Sequence, residues 1–504
     1  MALLPTTIVD YTDKDFDALR FRLRNLIRSV FPEWTDFNVA NFGNLLVELF
    51  AHVGDVLTFY QDTQARQARI TTATQRRALL GLVKLIGYSP PSATPATADL
   101  RVTLGSIPTG SVTIPVGTVV KTQEITDPIA YQLLADAIIP GGADPPVVTV
   151  AVQNSETQAD VFSTSGLANQ AFVLSKTPYI DATAIVTSGN GAYSQVDNFL
   201  LSGPADLHYT VTVDQNDRAT IRFGNAINGA IPVGSVFVEY KTGGGSAGRV
   251  EANKLVVLDG VWSDSFGNVV SVSVTNLNAS SGGSDRQSVA QIKQRAPASL
   301  RALTRSVTRD DFEVNARRVA DVARAIMVTR NEDPGVPENA GFLYIVPVGG
   351  GVASTTLLGQ VETMVTVTYP STLTFSVTVA SAVYRSVNVF AVIYVRQGQN
   401  KASVAQAVRD ALETFFAVQN ADGTDNENID FGGNIRDADG NVISELALSD
   451  IFNVVRDVAG VRKVGSGLSD FLLNDARDDV ALGTFEFPVL GTVTLRDGDT
   501  GATL

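Results

Sequence analysis

The chain is 504 residues long, with 44% hydrophobic and 18% charged residues and a formal net charge of −14. That length divides into roughly three to five domains, and the acidic balance excludes the body as a general binder of nucleic acid or anionic membrane. The absence of cysteine excludes disulfides, thiolate metal sites and thiol nucleophiles, and His52 and His208 are the whole supply of imidazole.

At the N-terminal end, Phe16, Leu19, Leu23, Leu26, Ile27 and Val30 recur at three- and four-residue spacing. This pattern predicts an amphipathic helix over 14–30, with Arg20, Arg24 and Arg28 as a basic row. Pro32 ends it. A second helix follows Asp36, carrying Phe42, Leu45, Leu46, Leu49, Phe50, Val53, Val56, Leu57 and Tyr60. That stripe is wide enough to be covered on more than one side, as in a bundle interior or against a partner. A third helix is expected over 74–86, with Leu79, Leu82, Val83 and Ile86 inward and Gly87 as its stop. Residues 1–88 thus read as a helical module. No secretory apolar region follows Met1, and no uninterrupted apolar run is long enough to cross a membrane.

Pro90, Pro91 and Pro95 mark a stiff connector, after which the pattern turns to β structure with Leu100, Val102 and Leu104 alternating. The tetrapeptide IPVG at 114–117 returns at 231–234, each time before an apolar strand. This is either two related β modules or one shared turn device. The composition shifts divide the chain at 1–88, 89–141 (start of a β module), 142–208 (an inserted β domain), 209–284 (a glycine-rich β domain), 285–370 (an arginine-rich helix with α+β structure), 371–470 (an α+β module) and 471–504 (a β tail). The fold class expected is multidomain α+β: an N-terminal helical module, a β-rich middle and C-terminal α/β sandwich-like modules.

The segment Thr210–Asn253 is the most distinctive. Strands are expected at 211–213, 220–223 and 235–240, separated by turn residues in the arrangement of antiparallel strands, followed by Gly243, Gly244, Gly245 and Gly248. The spacing of Gly243 and Gly248 satisfies the first part of a phosphate loop, but Arg249-Val250 replaces the Lys-Ser/Thr that would contact phosphate and magnesium. The glycines therefore point to close backbone approach.

Residues 285–319 are basic and helical in an acidic chain, with arginines at 286, 295, 301, 305, 309, 317 and 318. Thr308 is placed to cap a helix with Asp311 at its third position and Phe312 beneath. The segment has three readings: a solvated helix face, a protein interface, or a nucleic-acid contact, the last lacking interleaved aromatics. Candidate interface residues are Arg20, Arg24, Arg28, Leu45, Leu49, Val53, Arg295, Arg301, Arg305 and Arg309. The carboxylate pairs Asp310/Asp311 and Asp478/Asp479 are neighbours in sequence only, which does not make a catalytic dyad. Asp422, Asp425, Glu427 and Asp430, and separately Asp437, Asp439 and Asn441, have donors for a hard cation but lack the full calcium-loop pattern. No catalytic, cofactor or metal residue is assigned.

The order of these features resembles the baseplate J-like family, wedge proteins of contractile phage tails and related injection systems. The resemblance rests on Phe223, Gly224, Gly229, Pro232, Gly234, Tyr240, Gly243, Gly244, Gly245 and Gly248, on Thr308, Asp311 and Phe312, and on the helical opening YTDKDFDALRFRLRNLI. Asn225 stands where the family has an acidic residue, and Arg249 where asparagine is frequent. The resemblance implies a non-enzymatic structural protein, two copies to a wedge and six wedges around a hub, transmitting baseplate rearrangement to sheath contraction. It also implies a wedge-core role for the N-terminal helices and a ring or dimerisation role for 371–470. The implied partners are a second copy, other wedge proteins, neighbouring wedges, and hub and sheath-proximal proteins, with no direct membrane or nucleic-acid contact and no cofactor. The implied location is the virion tail baseplate, assembled in the host cytoplasm. Two alternatives stand beside it: a carbohydrate- or receptor-binding β protein using the 142–208 loops, and a polysaccharide-cleaving enzyme using paired carboxylates.

Overall fold

The computed structural model describes residues 15–38, 41–88, 90–124, 128–214, 216–301, 305–436 and 441–504, with backbone only at 300 and 301. Tyr11–Lys14, the Arg301 side chain, Asp437 and Asp439 lie outside the described residues. The chain separates into two compact units, Met1–Pro90 and Pro91–Leu504.

The first unit holds helices α1 (Phe16–Val30), α2 (Phe42–Gln67) and α3 (Arg76–Leu85). Asn41 caps α2, its side-chain oxygen accepting the Gly43 amide at 2.8 Å. Gly43 leaves room for the Trp34 ring, which stacks on Phe37 with centroids 5.9 Å apart. Gln67 at the end of α2 accepts the amides of Thr74 and Gln75, each at 3.0 Å, and so fixes the turn into α3. Leu79 and Val83 of α3 are fully buried, and Gly87 ends the run at φ +75.

The second unit begins with a seven-stranded antiparallel sheet. Its main path runs Leu255–Leu258, Val119–Thr122, Ala130–Leu133, Val147–Gln153, Ala96–Leu104, Val272–Asn276. Buried Asn276 ties the two ends of that path together: its Oδ1 accepts the amides of Lys254 and Leu255 at 3.0 and 2.9 Å, giving the sheet its barrel-like closure. A second seven-stranded sheet is inserted in the chain between Gln153 and Leu255, in the order Glu156–Ser163, Ser235–Thr242, Ile185–Ser188, Gly191–Gln195, His208–Val213, Ala219–Phe223, Ala171–Val173. Its core collects Tyr193, Tyr209, Phe223, Val236, Val238 and Tyr240.

Helices α4 (Val289–Arg301) and α5 (Arg309–Ala316) lead into a third sheet. Its strands are Val322–Thr329, Ala340–Pro347 and Ser376–Ser381, the last pair parallel. Helix α6 (Thr355–Thr363) crosses between them and ends in a π-turn at 364–368. The fourth sheet centres on the long strand Val383–Val395, flanked by Val461–Val464, Phe471–Leu473 and the parallel strand Glu486–Asp497. Helices α7 (Lys401–Phe415) and α8 (Leu448–Arg456) contribute Val404, Val408, Leu412, Ile451 and Val455 to its core.

The fold is thus N-terminal helices, a β-rich middle and further α/β modules, as the sequence pattern implies. Ala219–Phe223 and Ser235–Thr242 are not neighbours; the latter inserts between Glu156–Ser163 and Ile185–Ser188, because the intervening turn carries it across the sheet. Sheets in this unit draw their strands from distant chain segments, so strands on either side of 141/142, 208/209, 370/371 and 470/471 belong to shared sheets. Within 471–504, Phe471–Leu473 and Glu486–Asp497 both pair with the central strand.

Candidate assembly surfaces and the glycine-rich junction

In the helical unit, α1 and α2 meet through a polar contact among apolar neighbours. Arg24 donates to the Asn44 side-chain oxygen at 2.8 Å and pairs with Glu48 at 3.2 Å. Leu19 lies against Gly54, where an added Cβ would fall 2.8 Å from a leucine methyl. The arginine row is thus divided in its duties. Arg24 faces α2, Arg28 lies 4.9 Å over the Phe37 ring, and Arg20 pairs with Asp17 of its own helix at 2.9 Å.

Helix α2 buries only Asn44, Val47 and Ala51. Its other side is apolar and exposed: Phe42, Leu49 and Val56 form one seven-residue row, Leu46, Val53 and Tyr60 a second, with Leu45, Phe50, Leu57 and Phe59 beside them. A sustained seven-residue repeat is the geometry by which one helix packs along another. The expectation that this stripe is covered on more than one side is not met within the unit, which has too few helices to wrap a 26-residue rod. The helix also has the length and composition of a membrane span, although Glu48, Asp55 and Asp62 interrupt its apolar run.

The glycine triplet lies at a crossing of the first two sheets and the third. Gly244 adopts φ +89, and a Cβ there would lie 2.7 Å from the Thr94 carbonyl oxygen. The Gly245 amide donates to that oxygen at 2.8 Å. At Gly248 a Cβ would collide with the Asn154 side chain at 2.1 Å, so close approach, not ligand binding, accounts for these residues. Arg249, out of place for a phosphate loop, donates from Nε to the carbonyls of Gly282 and Gly283 at 2.9 and 3.2 Å. Thr94 donates its hydroxyl to Asp321, which also accepts the Ser284 amide at 3.1 Å, and the Val348 amide donates to the Asp321 carbonyl at 2.8 Å. Burial pushes the Asp321 carboxyl up, opposed by those hydrogen bonds and by Arg249. Asp321 and Thr94 were missed by pattern reading; the only signal was one acid inside an otherwise apolar run.

The other signature residues hold turns and core. Phe223 meets Tyr193 edge-on at 5.1 Å, and the Tyr240 hydroxyl donates to Asp160 at 3.0 Å. Gly224 packs against the Gly229 backbone, Pro232 is buried, and Gly234 turns at φ +73 in open space, as does Gly117 of the earlier IPVG at φ +81. The two tetrapeptides thus share a turn while serving different sheets. Asn225 supplies the turn acceptor itself, taking the amides of Ile227 and Asn228 at 3.0 and 2.8 Å.

The arginine-rich segment turns largely inward. Thr308 and Asp311 form a reciprocal capping box on α5, with Phe312 buried below. Arg295 is buried and donates to the carbonyls of Arg317 and Val322, each at 3.3 Å. Arg309 donates to the Met327 carbonyl at 2.9 Å while Glu313 accepts the Met327 amide at 3.0 Å. These side chains occupy the outer edge of strand Val322–Thr329, where a neighbouring strand would otherwise pair. Burial pushes Glu313 up to about 7. Arg317 and Arg324 converge on Asp425 at 2.6 and 3.1 Å, and Arg324 lies 3.9 Å from Asp430. Arg295 is thus buried and held by its own chain, whereas the Arg309 side chain stays partly exposed while it pairs with Glu332 at 2.8 Å. Arg305 alone of the described candidates here is exposed without such a role. Asp425 and Asp430 likewise face arginines, not an open cation site. His52 is exposed on α2, and His208 bonds Ser202 at 2.9 Å.

A family model described as bacteriophage baseplate protein, N-terminal domain, matches residues 15–85. This spans α1 to α3. Among solved structures, a chain of "Cryo-EM structure of the anti-feeding prophage (AFP) baseplate, 6-fold symmetrised" is similar over 93% of this chain and 90% of that chain, at 12% identity and a TM-score of 0.33. A likeness that loose carries no weight for this chain's role. No curated protein matches.

Proposed function

We propose that the chain is a structural, non-enzymatic component of the baseplate of a contractile tail or related injection system, located in the tail baseplate of the particle. The observation that carries this reading is the coincidence of the baseplate N-terminal match over 15–85 with the apolar rows that α2 leaves exposed in that same region. A helix with two seven-residue apolar rows is fitted to a bundle with helices from other chains. The partners proposed are a second copy of the chain and other wedge proteins, with neighbouring wedges in a sixfold ring and hub and sheath-proximal proteins beyond them. In this arrangement the helical unit builds the wedge core, and the modules between 371 and 470 join copies and pass rearrangement towards the sheath. Leu45, Leu49 and Val53 are the docking residues, with Arg20 and Arg28 at the margin.

The test is co-expression with the neighbouring wedge proteins, with size measured by light scattering. The reading predicts a heteromeric complex that Leu49→Glu/Val53→Glu dissolves while the variant chain keeps its unfolding temperature. A monomer under co-expression, or insertion of α2 into lipid vesicles in preference to the wedge proteins, contradicts it.

A further inference from the structure

Among the described residues, helices cover the fourth sheet on one side only. Along Val383–Val395, Val389, Ala391, Ile393 and Val395 point into the core with α7 and α8. The alternate residues Phe390, Val392 and Tyr394 face the other way and belong to none of the buried clusters. Neighbouring strands complete this outer face, because Phe390 stands opposite Leu472 and Thr494, Val392 opposite Arg496, and Tyr394 opposite Lys463.

Three cations stand beside the rings of this face, with Asp499 and Asp470 as the acids near it. Lys463 Nζ lies 4.3 Å from the centre of the Tyr394 ring, Arg462 is 5.5 Å from the same ring, and Arg496 is 5.4 Å from the Phe390 ring. Arg462 has a counterion in Asp499 at 3.4 Å. Among the described residues, Lys463 and Arg496 form no ion pair, although carboxylates outnumber cations in the chain by 52 to 38. Arg496, Phe390 and Tyr394 are of the residue types enriched at protein contacts, and Lys463 adds a second exposed charge held on a ring.

We propose that this face of the fourth sheet docks an acidic surface of another protein chain. Its carboxylates meet Lys463 and Arg496 and its apolar side chains cover Val392 and the two rings. The two cations flank the central strand from opposite sides, two interstrand spacings apart and offset by two residues, about 12 Å between their backbones. A symmetric pairing of this face with itself would set these cations against their own copies, so the partner surface differs from this one. Nucleic acid is disfavoured because the chain's charge of −14 repels it and few cations are present to neutralise phosphates.

The inference does not depend on the baseplate reading and is tested on the purified full chain. The probe is a fluorescent peptide of alternating Glu and Leu, with a Lys–Leu peptide and a single-stranded oligonucleotide as controls, followed by anisotropy. The Glu–Leu peptide is expected to bind, to weaken with salt, and to lose at least about tenfold in affinity to Lys463→Glu/Arg496→Glu. Lys463→Arg/Arg496→Lys should retain binding. Each single reversal should leave the unfolding temperature in place, since both side chains are exposed. No binding, equal binding of the Lys–Leu peptide, indifference to the double reversal, or preference for the oligonucleotide overturns the proposal.

Discussion

The helical unit and the third sheet handle similar residues in opposite ways. In α2, large apolar side chains such as Leu45, Leu49, Phe50 and Leu57 are more than half exposed. Around Val322–Thr329, even arginines are drawn inside and paired, with the strand's edge closed by Arg309 and Glu313. A surface that leaves apolar groups in water lowers its free energy by association, whereas one that satisfies its charges internally has nothing to gain. The third sheet thus pairs its arginines within the chain, whereas α2 leaves apolar area unmatched.

That contrast can be broken by substitution. The largest loss of stability should follow Asp425→Ala, which strands Arg317 and the nearly buried Arg324; about 3–5 kcal/mol is expected in denaturant unfolding. A loss under about 1 kcal/mol would mean the network is a surface feature after all.

Glu313 sharpens the same point through pH. Its carboxyl lies near 7 in the fold, chiefly from burial, against an ordinary value of 4.5. The folded state therefore binds the proton more tightly than the unfolded chain, so the stability linked to this group is full below about 4.5 and is lost as pH rises through about 7. Arg309, Asp310 and Asp430 are the charges that face it. Glu313→Gln, which still accepts the Met327 amide, should flatten the stability profile between those values; an unchanged slope would assign the dependence to another group.

Gly244→Ala should cost about 1–3 kcal/mol, through the left-handed backbone and the Thr94 carbonyl at 2.7 Å. Thr308→Ala should cost about 1 kcal/mol by removing the cap of α5, read as a fall in the denaturation midpoint. The smallest effect on stability belongs to Leu49→Glu/Val53→Glu, within about 0.5 kcal/mol because both residues are exposed, yet association should disappear.

Local structure was legible wherever one segment carries its own pattern. Helix spacing marked α1 and α2, the Thr308–Asp311 box marked the start of α5, and Gly87 marked the end of the helical run. The glycine triplet was readable as close approach because the phosphate-binding Lys-Ser/Thr is missing. What was not legible depends on distant chain. Ser235–Thr242 joins strands on either side that lie some distance back in the sequence, and Glu486–Asp497 returns to Val383–Val395 after two helices. The pairing of the arginines was not legible because charge appears in a sequence without its partner: nothing local connects Arg317 and Arg324 to Asp425. The reverse held for α2, whose apolar stripe was visible while its lack of cover was not.

The central claim is that the α2 face is a contact between chains within a baseplate. Electron microscopy of the native particle tests it most directly. The account predicts this chain in the baseplate, with Leu45, Leu49 and Val53 covered by a helix from another chain. Its absence from the particle, or an α2 face open to solvent in the assembled baseplate, would contradict it.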